Sequence, residues 1–213
     1  MITIFGAPGA GKTEQGKLLA RKYNWEWVSY RDLLLSLRDK DIIFALEHGM
    51  FIDDDKATKL MQQTLDMLKR TTRPKFLSDI KAGVKREIIL DGFPADYRQV
   101  KWLIDSGEIA NLKGAIILRV PRGELWRRLV ARKRVDDTRA AIERRQDAYD
   151  RNITGMIKTL TKNNVLVREV DGSNSPQDVL NRIEEVLSDW EMIPEKQYEK
   201  INESLHKAPK WLQ

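Results

Sequence analysis

An apolar tetrapeptide, Ile2-Thr3-Ile4-Phe5, runs straight into Gly6-Ala7-Pro8-Gly9-Ala10-Gly11-Lys12-Thr13. An amphipathic stretch over residues 12–23 follows. The eight loop positions match G-x-x-x-x-G-K-[ST] in the context that gives the pattern meaning, after a strand and at the start of a helix. Glycines let main-chain N–H groups turn inward around an anion, and the helix N-terminus adds a favourable field. The expected ligand is ATP, held by Gly6, Pro8, Gly9, Ala10, Gly11, Lys12 and Thr13. Lys12 reaches the β- and γ-phosphates, and the Thr13 hydroxyl helps hold Mg²⁺.

The rest of the chain alternates in the way such a loop requires. Short apolar runs predict strands over 2–5, 26–29, 87–90, 114–120 and 165–170. Ile88-Ile89-Leu90 and Ala115-Ile116-Ile117-Leu118 are continuously apolar, as buried parallel strands demand. Longer amphipathic runs predict helices over 12–23, 30–38, 42–48, 56–69, 97–106, 123–133, 138–163 and 176–190. Ser175 before Pro176 reads as an N-cap followed by Pro at the first helical position. Together these predict an α/β fold, a doubly wound parallel five-stranded sheet of the P-loop NTPase type. Residues 30–85 hold helices and no convincing strand, and read as an insert. Residues 190–213 read as a tail that straps across the surface or is partly disordered.

Composition removes several alternatives. The 213 residues include no Cys, which excludes disulfides and thiolate metal sites. No stretch approaches the roughly 20 apolar residues that span a bilayer. The N-terminus lacks a signal-peptide pattern, so a cytoplasmic address is expected. The net charge of +6 suggests an anionic partner. Arginines crowd residues 119–151, and Arg is suited to planar, bidentate grip on phosphate oxygens. The six tryptophans sit singly and read as packing rather than as stacking platforms, so nucleic acid is not an expected partner. His48 and His206 are isolated and read as surface residues.

A metal bound to ATP needs a carboxylate, and Glu87-Ile88-Ile89-Leu90-Asp91 supplies an apolar strand ending in Asp. Asp91 would hold Mg²⁺ with Thr13, directly or through water. Asp91-Gly92-Phe93-Pro94 also resembles the signature of adenylate kinases and related nucleoside monophosphate (NMP) kinases. Other segments fall in that family's order: Ser29-Tyr30-Arg31-Asp32-Leu33-Leu34, Gly49-Met50-Phe51-Ile52-Asp53-Asp54, Arg134-Val135-Asp136-Asp137, Arg144-Arg145 with Tyr149, and Asp171-Gly172. The resemblance covers about residues 1–189. It implies a core of 1–29 and 86–189, an NMP-binding helical insert over 30–85 and a short lid over 133–137. It also implies roles. Arg128 lies against the ATP base; Lys12, Arg132, Arg134 and Arg145 surround the transferring phosphoryl group. Asp136 and Asp137 pair with lid arginines. Tyr30, Arg31, Ile52, Gly92, Arg98 and Gln99 form the NMP site.

The departures concentrate in that second site, although the loop departs too, with Gly11-Lys12-Thr13-Glu14 where the family usually has Gly-Lys-Gly-Thr. Family arginines are replaced by Leu35 and Ala95, and Tyr30 and Arg31 stand where the family has Thr and Gly. Arg31, Arg38, Arg73 and Arg98 are nearby cations, with Arg31 and Arg98 the preferred replacements. Gln99, which in the family reads adenine, makes AMP the first expected acceptor, in a monomeric enzyme with ATP and a nucleoside monophosphate as its partners. Two other readings stand beside it: a P-loop kinase with another small acceptor, and a non-catalytic nucleotide- or nucleic-acid-binding module.

Overall fold

The computed structural model describes residues 1–50, 52, 54–71, 86–132, 134 and 137–193. Strands β1 (Ile2–Gly6), β2 (Glu26–Ser29), β3 (Ile88–Asp91), β4 (Gly114–Arg119) and β5 (Leu166–Asp171) form one sheet. Their order is β2-β3-β1-β4-β5, and every pairing is parallel. The helices are α1 (Lys12–Tyr23), α2 (Tyr30–Ser36), α3 (Lys40–His48), α4 (Asp54–Thr71), α5 (Tyr97–Asp105), α6 (Arg122–Arg132), α7 (Arg139–Lys162) and α8 (Pro176–Asp189). The expected α/β architecture is present.

The pleat of the central strands divides the core. Ile2 and Ile4 of β1 pack with Ile89, Ile116 and Leu118, whereas Phe5 packs with Leu90 and Ile117. Successive residues of a strand face opposite sides, so β1 serves both clusters and is buried along its whole length. Burial of each such side chain contributes roughly 1.5–3 kcal/mol. Helix starts are fixed by side-chain caps: Ser29 accepts from the Asp32 amide, Asp96 from Gln99, Thr138 from Ala141 and Ser175 from Asp178. Each cap stabilises its helix by about 1 kcal/mol.

Some boundaries differ from the sequence expectation for local reasons. The helix expected to reach residue 38 stops at Ser36. Arg38 takes φ 53°, and Asp39 begins a new helix by capping Asp41 and Ile42. The last strand runs one residue further, to Asp171, because Asp171 pairs with Arg119 of β4. A 3₁₀ turn, Glu108–Asn111, follows Gly107 and has no counterpart in the sequence reading. Its Glu108 is buried and accepts from Lys69 (2.6 Å), Gln62 (3.1 Å) and Asn111 (3.1 Å), which ties α4 to the core. Residues 190–193 of the expected tail join the core. Met192 and Ile193 are buried, and the Trp190 ring covers Gly114. Phe51, Asp53, Arg73 and the rest of 72–85, residues 133, 135 and 136 of the expected lid, and 194–213 with His206 lie outside the described residues. His48 is exposed, as read. Of the tryptophans, Trp25 is buried, whereas Trp126 is exposed on α6. Among the described residues, no helix is long and apolar enough to cross a membrane.

The topology decides where a site forms. β1 is central, and its neighbours β3 and β4 lie on opposite sides. The connection leaving β1 runs through α1 to β2 on one side and that leaving β4 runs to β5 on the other, so the two part at the carboxyl edge of the sheet, where open α/β folds bind ligands. The 6–11 loop, Asp91 and residues 172–175 all meet that edge.

Candidate active site

Main-chain geometry builds the phosphate loop. Gly11 precedes α1 with φ 96° and ψ 10°, a left-handed conformation that side chains oppose. The turn brings Lys12 back over the loop, where its Nζ donates to the carbonyls of Gly6 (2.7 Å) and Ala7 (3.1 Å). Burial lowers the Lys12 ammonium to about 8; Arg132 and Arg145 add to the effect, and Asp91 opposes it. An anion arriving here would meet a half-buried cation that is already partly desolvated.

One residue further, Thr13 Oγ1 donates to Asp91 Oδ2 at 2.6 Å. Asp91 is buried at the end of β3. That burial raises its carboxyl, against the Thr13 hydrogen bond and the Lys12 charge. A half-buried hydroxyl beside a buried carboxylate is an all-oxygen donor pair of the type Mg²⁺ prefers. Among the described residues, no group of three or more acidic or His side chains is placed to hold a metal. A cation at Thr13 and Asp91 would complete its shell with phosphate and water.

Two cavities open on this edge. The larger, about 870 Å³, is lined by the loop from Gly9 to Thr13, by Arg128, Arg132 and Arg134, and by the 172–176 turn. Arg128 is held by Glu124 Oε1 (2.7 Å) and the Gly172 (2.9 Å) and Ser173 (3.1 Å) carbonyls. Arg132 grips Asp137 with two hydrogen bonds of 2.8 and 2.7 Å, and Arg145 reaches the same Oδ1 at 3.0 Å. Burial raises the Asp137 carboxyl, but these two guanidinium groups outweigh it and hold it below its ordinary value. The two arginines thus converge on one carboxylate oxygen, with Arg132 lining the larger cavity beside Lys12 and Arg145 lining the smaller one. Asp136, expected to pair likewise, lies outside the described residues.

The smaller cavity, about 270 Å³, is lined mostly by apolar surface. Tyr30, Arg31, Ile52, Gly92, Gln99 and Arg145 line it, as does Lys12 from the larger side. Lys12 thus forms part of the wall between the two. Arg98 does not line it: its guanidinium turns back to Asp96 at 2.9 Å, and its side chain is 56% exposed. The cap that starts α5 also draws this cation away. Gln99 is committed too, its Oε1 accepting from the Ala95 amide (2.7 Å) and its Nε2 donating to the Tyr30 hydroxyl (2.8 Å). Ala95 lines the cavity and brings no charge, whereas Leu35 and Arg38 are not part of its lining. Ala148, Tyr149, Asn152, Ile153 and Met156 of α7 form a wall that the sequence reading missed. Their helical spacing was visible, but it looks the same as a stripe packed into a core.

A parallel sheet in this order, with a glycine loop between its central strand and the first helix, defines a P-loop nucleotide-binding protein. The AAA domain family model matches residues 2–150. The adenylate kinase of Nocardioides sp. is 28% identical over 208 residues, covering 91% of this chain and 98% of the relative. That of Salinibacter ruber is 27% identical, covering 87% and 97%. That of Chlamydia trachomatis serovar D is 33% identical over 139 residues, covering 62% and 56%. The chain belongs to the AAA domain family of P-loop proteins, is similar along most of its length to adenylate kinases, and is a phosphotransferase.

Proposed function

We propose that the protein transfers the γ-phosphoryl group of Mg·ATP to a nucleoside monophosphate, with AMP the first acceptor to test. The observation that carries this reading is the position of Lys12 between a large, arginine-rich cavity and a small, mostly apolar one. A triphosphate in the first and a monophosphate in the second would bring donor and acceptor phosphates together at one ammonium group.

Gly9, Ala10, Gly11, Lys12 and Thr13 would wrap the donor phosphates, with Gly6 and Pro8 completing the turn, and Arg128 would flank the base. An anionic oxygen of the acceptor forms the new bond to the γ-phosphorus while the bond to the ADP oxygen breaks. The acceptor oxygen carries no proton, so no general base is needed. Catalysis then rests on alignment and on cations around the three equatorial oxygens. Lys12, Arg132, Arg134 and Arg145 supply them, Arg132 and Arg145 exchanging Asp137 for phosphate. Mg²⁺ held near Thr13 and Asp91 would neutralise charge on the β- and γ-phosphates. On the acceptor side Arg31 is the replacement cation that lines the cavity, with Tyr30, Ile52, Gly92 and Gln99 around the base and sugar.

A second reading, another small phosphate acceptor, is favoured by Ala95 and by the commitment of Gln99 to Tyr30 and Ala95. A coupled ADP-release assay with Mg·ATP against AMP, GMP, CMP, UMP and dTMP tests the proposal. Turnover with one of these, abolished in Lys12→Ala, is the expected result. No turnover above ATP alone with any of the five would overturn it.

A further inference from the structure

Helix α3 ends on Gly49, whose φ of 62° and ψ of 34° are left-handed. The Met50 amide closes the turn on the Ala45 carbonyl at 2.8 Å. The His48 carbonyl, at the negative end of this helix, accepts a 2.8 Å hydrogen bond from Arg144 Nε of α7. A cation that satisfies a terminal carbonyl is a favourable helix end. Here it also joins two separate parts of the chain.

Arg145 is the next residue along. Its Nε donates to the Ala141 carbonyl at 3.2 Å, and its guanidinium reaches Asp137. A Cβ placed on Gly49 would lie 2.8 Å from that same carbonyl oxygen and 3.0 Å from Arg145 Cγ. The bare α-carbon of Gly49 is therefore seated against the aliphatic stem of Arg145 and the carbonyl that orients it. Gly49 and Met50 line the smaller cavity with Arg145, whereas Arg144 lines neither cavity.

We propose that Arg144 and Gly49 are positioning residues that lock the end of α3 to α7, so that the state of one cavity sets the order of the other through Arg145. The inference rests on the reading of Arg145 as a phosphoryl-contacting group. A ligand in the larger cavity that draws Arg132 and Arg145 from Asp137 to phosphate re-seats α7 at residues 141–145. The Gly49 contact and the Arg144 hydrogen bond carry that change into α3. A monophosphate that draws α3 inward presses on Arg145 in return, as linkage between two sites requires.

Two measurements test this. The first does not depend on phosphoryl transfer: amide hydrogen exchange over residues 45–50, with and without saturating Mg·ATPγS. In the wild type the nucleotide slows exchange there. In Arg144→Ala the slowing is lost, although binding of fluorescent ADP is kept, and Arg144→Lys restores part of it. Exchange that ignores the nucleotide in the wild type, or responds equally in Arg144→Ala, overturns the proposal. The second measurement is kinetic, on whichever acceptor turns over. Gly49→Ala lowers kcat by about 10- to 100-fold, on the scale of an ångström-sized misplacement, with the KM for ATP unchanged. Arg144→Ala, which leaves the backbone of Gly49 unstrained, moves kcat the same way by a smaller factor. A loss confined to thermal stability, with kcat intact in both variants, overturns it as well. Failure of every acceptor in the assay above would sink the kinase reading and leave the exchange result to decide the interlock.

Discussion

Thr13 and Asp91, 78 residues apart in the chain, share a 2.6 Å hydrogen bond at the carboxyl edge of the sheet. The contact joins the first turn of α1 to the end of β3. It holds both oxygens where a cation would sit beside a triphosphate. Asp91→Asn keeps the size of the side chain and removes its charge. We expect kcat to fall by about 100-fold or more, the scale of losing one preorganised electrostatic group, with a higher Mg²⁺ concentration needed for half-maximal rate. Thr13→Ser keeps the hydroxyl and should stay close to wild type. Magnesium titrations of the rate for the two variants provide the check, and an unchanged half-saturation point in Asp91→Asn would exclude Asp91 from the metal site.

Lys12 predicts a proton linkage in nucleotide binding. Burial lowers its ammonium to about 8 when no nucleotide is bound. Bound phosphate favours the charged form and raises that value. Below about pH 7 the lysine is charged with or without ligand, and affinity does not depend on it. Above pH 8 the empty form loses the proton, so binding must take one up and affinity falls as pH rises. Calorimetry of Mg·ADP binding at pH 8.5 in two buffers of different ionisation enthalpy should register this uptake. The lysine's share of it should vanish in Lys12→Met.

Glu108 predicts an acid-sensitive anchor. Burial raises its carboxyl, but the hydrogen bonds from Lys69, Gln62 and Asn111 outweigh burial and leave it below its ordinary value. A carboxyl lowered in the folded state adds stability that is complete above its unfolded value, about 4.3, and is lost as pH falls through the folded one. Glu108→Ala should cost about 1–3 kcal/mol at neutral pH. Hydrogen exchange along α4 should quicken while exchange in β1 scales only with global stability. The gap in melting temperature between variant and wild type should narrow below pH 4. A gap that is constant down to pH 3 would mean that the charge contributes nothing.

Gly114 predicts a steric failure at the other end of the sheet. A Cβ there would meet the Trp190 ring at 2.2 Å, closer than any non-bonded pair tolerates. Gly114→Ala should destabilise by about 1–3 kcal/mol through overpacking, which corresponds to a drop in melting temperature of roughly 2–4 °C per kcal/mol for a chain of this size. Adding Trp190→Leu should recover part of the loss, because the two changes share one contact and are not additive. Additive losses would place the strain elsewhere.

The sheet, its helices and the glycine loop were legible because each depends on local signals: an apolar run, a helical period, a left-handed glycine. Asp91 was legible because it follows directly from the strand that carries it. The smaller cavity was not. Arg98 stands at the expected position, yet Asp96, two residues before it, captures its guanidinium. The α7 wall from Ala148 to Met156 has the pattern of a core stripe, and only tertiary packing leaves space beside it. Glu108 looks like a surface acid until α4 folds over it with Lys69 and Gln62. Local patterns define elements, whereas the lining of a pocket depends on which elements fail to touch.

Lys12 stands in both chambers at once. Two compartments that share a partition cannot be remodelled independently through it, because a replacement that suits one tenant evicts the other. Divergence in acceptor choice therefore has to proceed from the far walls. Of the positions where the sequence departs from the adenylate kinase pattern in its second site, Tyr30, Arg31 and Ala95 line the smaller cavity away from Lys12, and Leu35 lies outside both linings.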